Sequence, residues 1–241
     1  MKKTENLPSD YPLPNFYYFT SDILEQVRKL LARQILILNE NGFKECHLPF
    51  LVPKNLISNY KEAVSPEEFI KAYSGKDRRS YAFLRPDGIF SQGLTLAKRM
   101  IKSYQDLPLK LFEVSPGYEK SDDKAKRTIF NSQEQSFSIQ GGLFTESNDG
   151  ISYLKRIFES LLKEFSIKYT TERLESQNLT YIKYTTKFKT ESVIIAKCFD
   201  FRQEITKKAN LYFFDKVGRS NFPYMVTFSL SQNISLIKIL C

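Results

Sequence analysis

Two stretches of the chain repeat apolar residues at helical spacing. From Ser21 to about Asn41, the residues Ile23, Leu24, Val27, Leu30, Leu31, Ile35 and Leu38 recur every three or four positions, with Thr20, Ser21 or Asp22 available as an N-cap. This predicts an amphipathic helix that Gly42 ends as a C-cap. From Ile151 to Phe165, Ile151, Leu154, Ile157, Phe158, Leu161, Leu162 and Phe165 form a second stripe and predict a helix packed on the core. A shorter helix is expected from about Phe90 to Ser103, with Leu94, Ala97, Met100 and Ile101 inward, and Ser65–Pro66 is expected to cap another short one in SPEEFIKAY.

The rest of the apolar pattern is strand-like. Leu109 to Val114 and Phe137 to Phe144 flank a polar, basic loop and read as two antiparallel strands. Phe43 to Val52 reads as a strand carrying Pro49, which cannot donate a ladder hydrogen bond and so belongs at an edge or an interface. The runs SIKYTTERL, LTYIKYTTKF, ESVIIAKCFDF and NLYFFDKVG are rich in Thr, Tyr, Ile, Val and Phe and are expected to complete one central antiparallel sheet. Helices packed to one side of that sheet make the fold class α+β. Residues 1–20, proline-rich and polar, form an N-terminal extension, and residues 21–241 form one core domain.

Composition narrows the chemistry. With 41% hydrophobic and 14% aromatic residues over 241 positions the chain can bury a sizeable core. No apolar run has membrane-spanning length and the first residues lack a signal-peptide stretch, so a cytoplasmic location is expected. Cys46, Cys198 and Cys241 are scattered and His47 is the sole histidine, so neither a disulfide framework nor a zinc site is indicated, and no metal ligand is assigned. A net charge of +9 favours an anionic partner such as RNA, although lysine-rich composition also serves solubility.

Three segments, in order, carry a resemblance. LPLKLFEVSPGYE followed by FSIQGGLF, within about 107–144, resembles motif 2 of class II aminoacyl-tRNA synthetases, closest to the histidyl, prolyl, threonyl and seryl group. The helix of about 21–41 with GFKECHLPFLVP (motif 1, about 21–53) resembles the element that forms the homodimer interface in that family, with Pro49 as the motif proline and Leu48 and Phe50 beside it. FPYMVTFSLSQNISLIKILC, about 222–241, is similar to a worn motif 3.

What the resemblance implies is uneven. Phe137 takes the position that stacks on adenine, Gln140 points into the amino-acid pocket, and Asp87, in LRPDG with Arg85, takes the position that receives the substrate's ammonium group. From the residues alone Phe137 is a core aromatic, Gln140 a satisfied strand residue and Asp87 an N-cap. The family's α-phosphate arginine falls on Glu119, its γ-phosphate arginine on Ile234, and the motif 3 glycines on Ser229 and Ser231 or Val226. A carboxylate repels a triphosphate and an isoleucine cannot bind one. Lys124 and Arg127, in the motif 2 loop, read as solvated charges or as substitute phosphate contacts. The chain stops within the motif 3 helix, so the anticodon-binding domain usual in the group is expected to be absent.

Three functions follow as alternatives. The first is a degenerate, homodimeric binding or regulatory relative of the synthetase core, holding an amino acid or adenylate. The second is an active amino-acid-activating ligase that uses ATP and Mg2+ and transfers to tRNA or to another acceptor. The third is a basic RNA-binding protein.

Overall fold

The structure is a computed structural model that describes residues 21–53, 70–73, 81–84, 92–118, 135–176 and 179–240. Helix α1 spans Ser21–Glu40, about 30 Å at 1.5 Å per residue. It ends where Gly42 adopts a left-handed backbone at φ 78 and the Phe43 N–H bonds back to the Leu38 carbonyl. Two short strands follow, β1 (Lys44–Glu45) and β2 (Leu51–Pro53), then β3 (Ile70–Tyr73), β4 (Tyr81–Leu84) and helix α2 (Leu94–Met100). The long hairpin is β5 (Leu109–Tyr118) with β6 (Gln135–Thr145), and helix α3 spans Gly150–Glu164. After it come β7 (Thr170–Glu175), β8 (Thr180–Phe188), β9 (Glu191–Asp200), α4 (Glu204–Lys208), β10 (Phe213–Phe214), β11 (Ser220–Asn221), β12 (Tyr224–Ser231) and α5 (Asn233–Leu240).

Seven strands form the main sheet in the order β1-β5-β6-β12-β9-β8-β7. Every pairing is antiparallel except β1 with β5, so the α+β expectation is met. The late strand β12 lies at the centre, between β6 and β9. Helices α1, α3 and α5 cover one face, where Leu38, Leu154, Phe158, Leu161, Ile234 and Ile237 meet Phe112, Ile139, Tyr184, Ile195 and Phe228 in a continuous core. Phe228 stands edge-on to both Phe43 and Phe158, each at 5.5 Å between ring centroids. Gly141 allows this: a Cβ there would lie 2.1 Å from the tip of the Phe228 ring.

Several expectations are corrected. The strand from Phe43 to Val52 splits, because pairing with β5 ends after the Cys46 N–H reaches the Phe112 carbonyl, and Leu51–Pro53 joins a separate three-stranded sheet with β4 and β3. Pro49, with no N–H, lies in the gap. Residues Ile70–Tyr73 of the expected SPEEFIKAY helix are strand β3, and its first part lies outside the described residues. NLYFFDKVG leaves the main sheet, pairing as β10 with β11 while Phe214 also bridges Ser103. Met100 is exposed at the end of the shortened α2, whereas Leu94, Ala97 and Ile101 are buried as expected.

Candidate ligand-binding face

Alternate residues of the long strands turn away from the helices. Their neighbours Phe112, Ile139, Phe228, Ala196, Cys198 and Ile182 belong to the helix-side core, so the residues between them project from the opposite face. The strand registers align that face in rows about 6.6 Å apart, with about 5 Å between cross-strand partners. One row joins Leu109, Phe144 and Met225 and is capped by the second apolar core, to which Leu48, Leu94, Phe201 and Leu211 contribute. The next runs Leu111, Gly142, Thr227, Phe199, Tyr181, Leu174. The third is polar throughout: Glu113, Gln140, Ser229, Lys197, Lys183, Glu172. Beyond it stand three serines, Ser115, Ser138 and Ser231.

The polar row is graded in depth. Glu113 and Gln140 are 1% and 3% exposed, while Ser229 and Lys197 are half-buried, so the floor opens towards β9 and β8. Gln140 donates to the Ser138 hydroxyl at 3.1 Å. The Ser115 hydroxyl, buried in the adjoining row, has no hydrogen-bond partner among the described residues. At the open end Lys183 is hydrogen-bonded to Glu172, which holds its ammonium above the usual lysine range. An aromatic wall borders the row, with Tyr181 stacked on Phe199 at 4.7 Å and Phe199 on Phe201 at 6.0 Å. Next to Phe199 along β9, but with the parity of the helix-side residues, Asp200 has its carboxyl pushed up by burial, although the Arg202 N–H donates to it at 2.8 Å and draws it back in part.

No family model matches the sequence, and no curated protein matches it. Among solved structures, Giardia lamblia prolyl-tRNA synthetase in complex with prolyl-adenylate superposes with a TM-score of 0.82 at 13% identity, over 95% of this chain and 49% of that one. Cryptosporidium parvum prolyl-tRNA synthetase complexed with L-proline and AMP, and the same enzyme with halofuginone and AMPPNP, each give 0.78 over 95% of this chain and 48% of theirs. Their identities are 14% and 16%. The chain has the fold of a class II aminoacyl-tRNA synthetase catalytic core. It spans about half the length of the structures it matches.

On this class II core the residues singled out from the sequence scatter. Gln140 lies in the centre of the polar row. Phe137 pairs with Pro116 near the far end of the hairpin, at a backbone position on β6. Arg85, Asp87, Glu119, Lys124 and Arg127 lie outside the described residues. Ile234 is 0% exposed, in the helix-side core, across the sheet from Gln140 and Ser229. Of the motif 1 residues, Leu48 is buried within the single chain, as is Val52, so a strand expected from its likeness to the dimer element to be covered by a second subunit is partly covered by its own chain. Phe50 and Leu51 remain 38% and 50% exposed, and Pro49 is exposed.

Sequence reasoning missed Glu113, Ser115, Lys197 and Lys183. The strand alternation in IIAKCFDF held a signal for Lys197, which interrupts an apolar run with the parity of Phe199. Among the described residues no three His, Cys, Asp or Glu side chains converge as metal ligands, and no helix is long and apolar enough to cross a membrane.

Proposed function

We propose that this class II core binds an amino acid or an aminoacyl-adenylate-like ligand on the polar face of its sheet and does not carry out ordinary adenylation. The observation behind this reading is the contrast between two positions. Gln140 sits on a polar floor with Glu113 and Ser229, whereas Ile234, where the resemblance expects an arginine for the γ-phosphate, is sealed in the opposite core. The ligand class is drawn from the complexes of the structural neighbours, with prolyl-adenylate in one and with L-proline and AMP in another. Losing one charge-assisted donor at a reacting phosphate costs about 3 kcal/mol, or roughly a hundredfold in rate. With Glu119 at the second arginine position the loss is compounded.

Amino-acid-dependent exchange of pyrophosphate into ATP, run with Mg2+ and all standard amino acids, is the test. No exchange above background is expected. Turnover on the order of 1 s⁻¹ with any amino acid would instead establish the active ligase, with Lys124, Arg127 or Arg85 supplying the phosphate contacts.

The proposed assembly is a homodimer built on α1 and the segment around Pro49. Supporting it are Phe50, Leu51 and Leu36, large apolar side chains left exposed on a single chain. Sedimentation at micromolar concentration should give a dimer, and a clean 28.2 kDa species would remove this part of the reading.

A further inference from the structure

The polar row sets two lysines side by side, and among the described residues only one of them has an ion pair. Lys183 and Lys197 are direct cross-strand partners on the ligand face. Like charges placed opposite one another in a sheet repel. Lys183 is neutralised from its other side by Glu172. Lys197 is flanked instead by Ser229, a neutral hydroxyl, and has no ion pair among the described residues. The residue as a whole is half-buried on the floor. A lysine with no ion pair among the described residues therefore stands on this face beside the flat apolar surface of Phe199 and Tyr181.

We propose that Lys197 is the anion-recognising residue of this face, and that the ligand carries a side-chain carboxylate or a phosphate which pairs with Lys197 while its remaining surface lies against Phe199 and Tyr181. A charge-assisted hydrogen bond in a half-buried site is stronger than a neutral one, and an anion there also relieves the repulsion between the two lysines. The inference rests on the ligand-binding reading above and narrows it to anionic ligands, either an acidic amino acid or a nucleotide monophosphate.

Titration calorimetry on the full chain separates these sources and tests the role of Lys197. One arm compares L-glutamate and L-aspartate with L-glutamine and L-asparagine, and the other compares AMP with adenosine. The expected result is that in at least one arm the compound with the side-chain carboxylate or phosphate binds roughly tenfold or more tightly than the counterpart lacking it, that Lys197→Met abolishes the preference, and that Lys197→Arg keeps most of it. Melting curves of the two variants without ligand show whether each is folded, and the arginine variant carries the test should the methionine one fail to fold. Equal binding of anion and neutral counterpart in both arms, or a preference that survives Lys197→Met, overturns the role of Lys197 while leaving ligand binding intact. Absence of binding by all six compounds overturns both readings.

Discussion

Substituting Gly141 by alanine tests the packing that holds the sheet centre together. Gly141 has an ordinary strand backbone, so alanine is not forbidden by conformation, and the whole effect comes from contact. The new Cβ would lie 2.1, 2.2 and 2.9 Å from three atoms of the Phe228 ring. Ordinary carbon contacts are about 3.5–4.0 Å, so the ring must move by well over an ångström. It has nowhere easy to go, since Phe43 and Phe158 stand edge-on to it at 5.5 Å. Overpacking of this kind costs at the upper end of about 1–3 kcal/mol, offset by roughly 0.4–1 kcal/mol because alanine restricts the unfolded chain. A net loss of about 2 kcal/mol lowers the melting temperature by about 4–8 °C in a chain of this size. Phe228→Leu alone should cost about 1–2 kcal/mol through lost packing. In the double variant the smaller side chain makes room for the methyl, so the two losses should combine to less than their sum by about 1 kcal/mol or more. Urea unfolding of all four proteins, with a common m-value, measures this. A Gly141→Ala protein that melts within about 1 °C of wild type, or losses that simply add, would refute the argument.

Other perturbations probe the same core and its edge. Ile234→Arg should not restore phosphate chemistry; it places an unpaired charge in the helix-side core and should cost several kcal/mol, seen as a large fall in melting temperature with pyrophosphate exchange still at background. The Tyr184 hydroxyl is buried without a hydrogen-bond partner among the described residues, so Tyr184→Phe should raise stability, by up to about 1 kcal/mol, in urea titrations. Asp200 has its carboxyl held above the usual range by burial, so the folded state binds its proton more tightly than the unfolded chain does. Stability should therefore fall as pH rises from the ordinary carboxylate value through the raised one, and Asp200→Asn should flatten that part of a melting-temperature against pH curve.

The parts of the fold that the sequence made legible are those written in local patterns. The stripe of Leu154, Phe158, Leu161 and Leu162 announced α3, Gly42 marked the end of α1, and the apolar runs on either side of the basic loop announced the long hairpin. What stayed hidden depends on partners far away along the chain. Nothing local in NLYFFDKVG says that Phe213 and Phe214 pair with Ser220 and Asn221 and not with the main sheet. The candidate site shows the same limit. Gln140 was picked out by a motif, but the row it belongs to is assembled from six strands, and Lys197 and Glu113 become its neighbours only through cross-strand register.

The central position of β12 bears on how the chain is made. Strands β5 and β6 can pair as soon as both have left the ribosome, and so can β7, β8 and β9, but the two halves share no strand until residues 224–231 appear. Until then β6 and β9 are both open edges, each offering a row of unpaired N–H and C=O groups beside exposed apolar side chains. The nascent chain therefore passes through a stage with two adhesive half-sheets, at which association with other chains competes with completion. A chaperone that shields β6 and β9 at that stage would raise the yield of folded protein, and fragments released before residue 224 should aggregate where the longer chain does not.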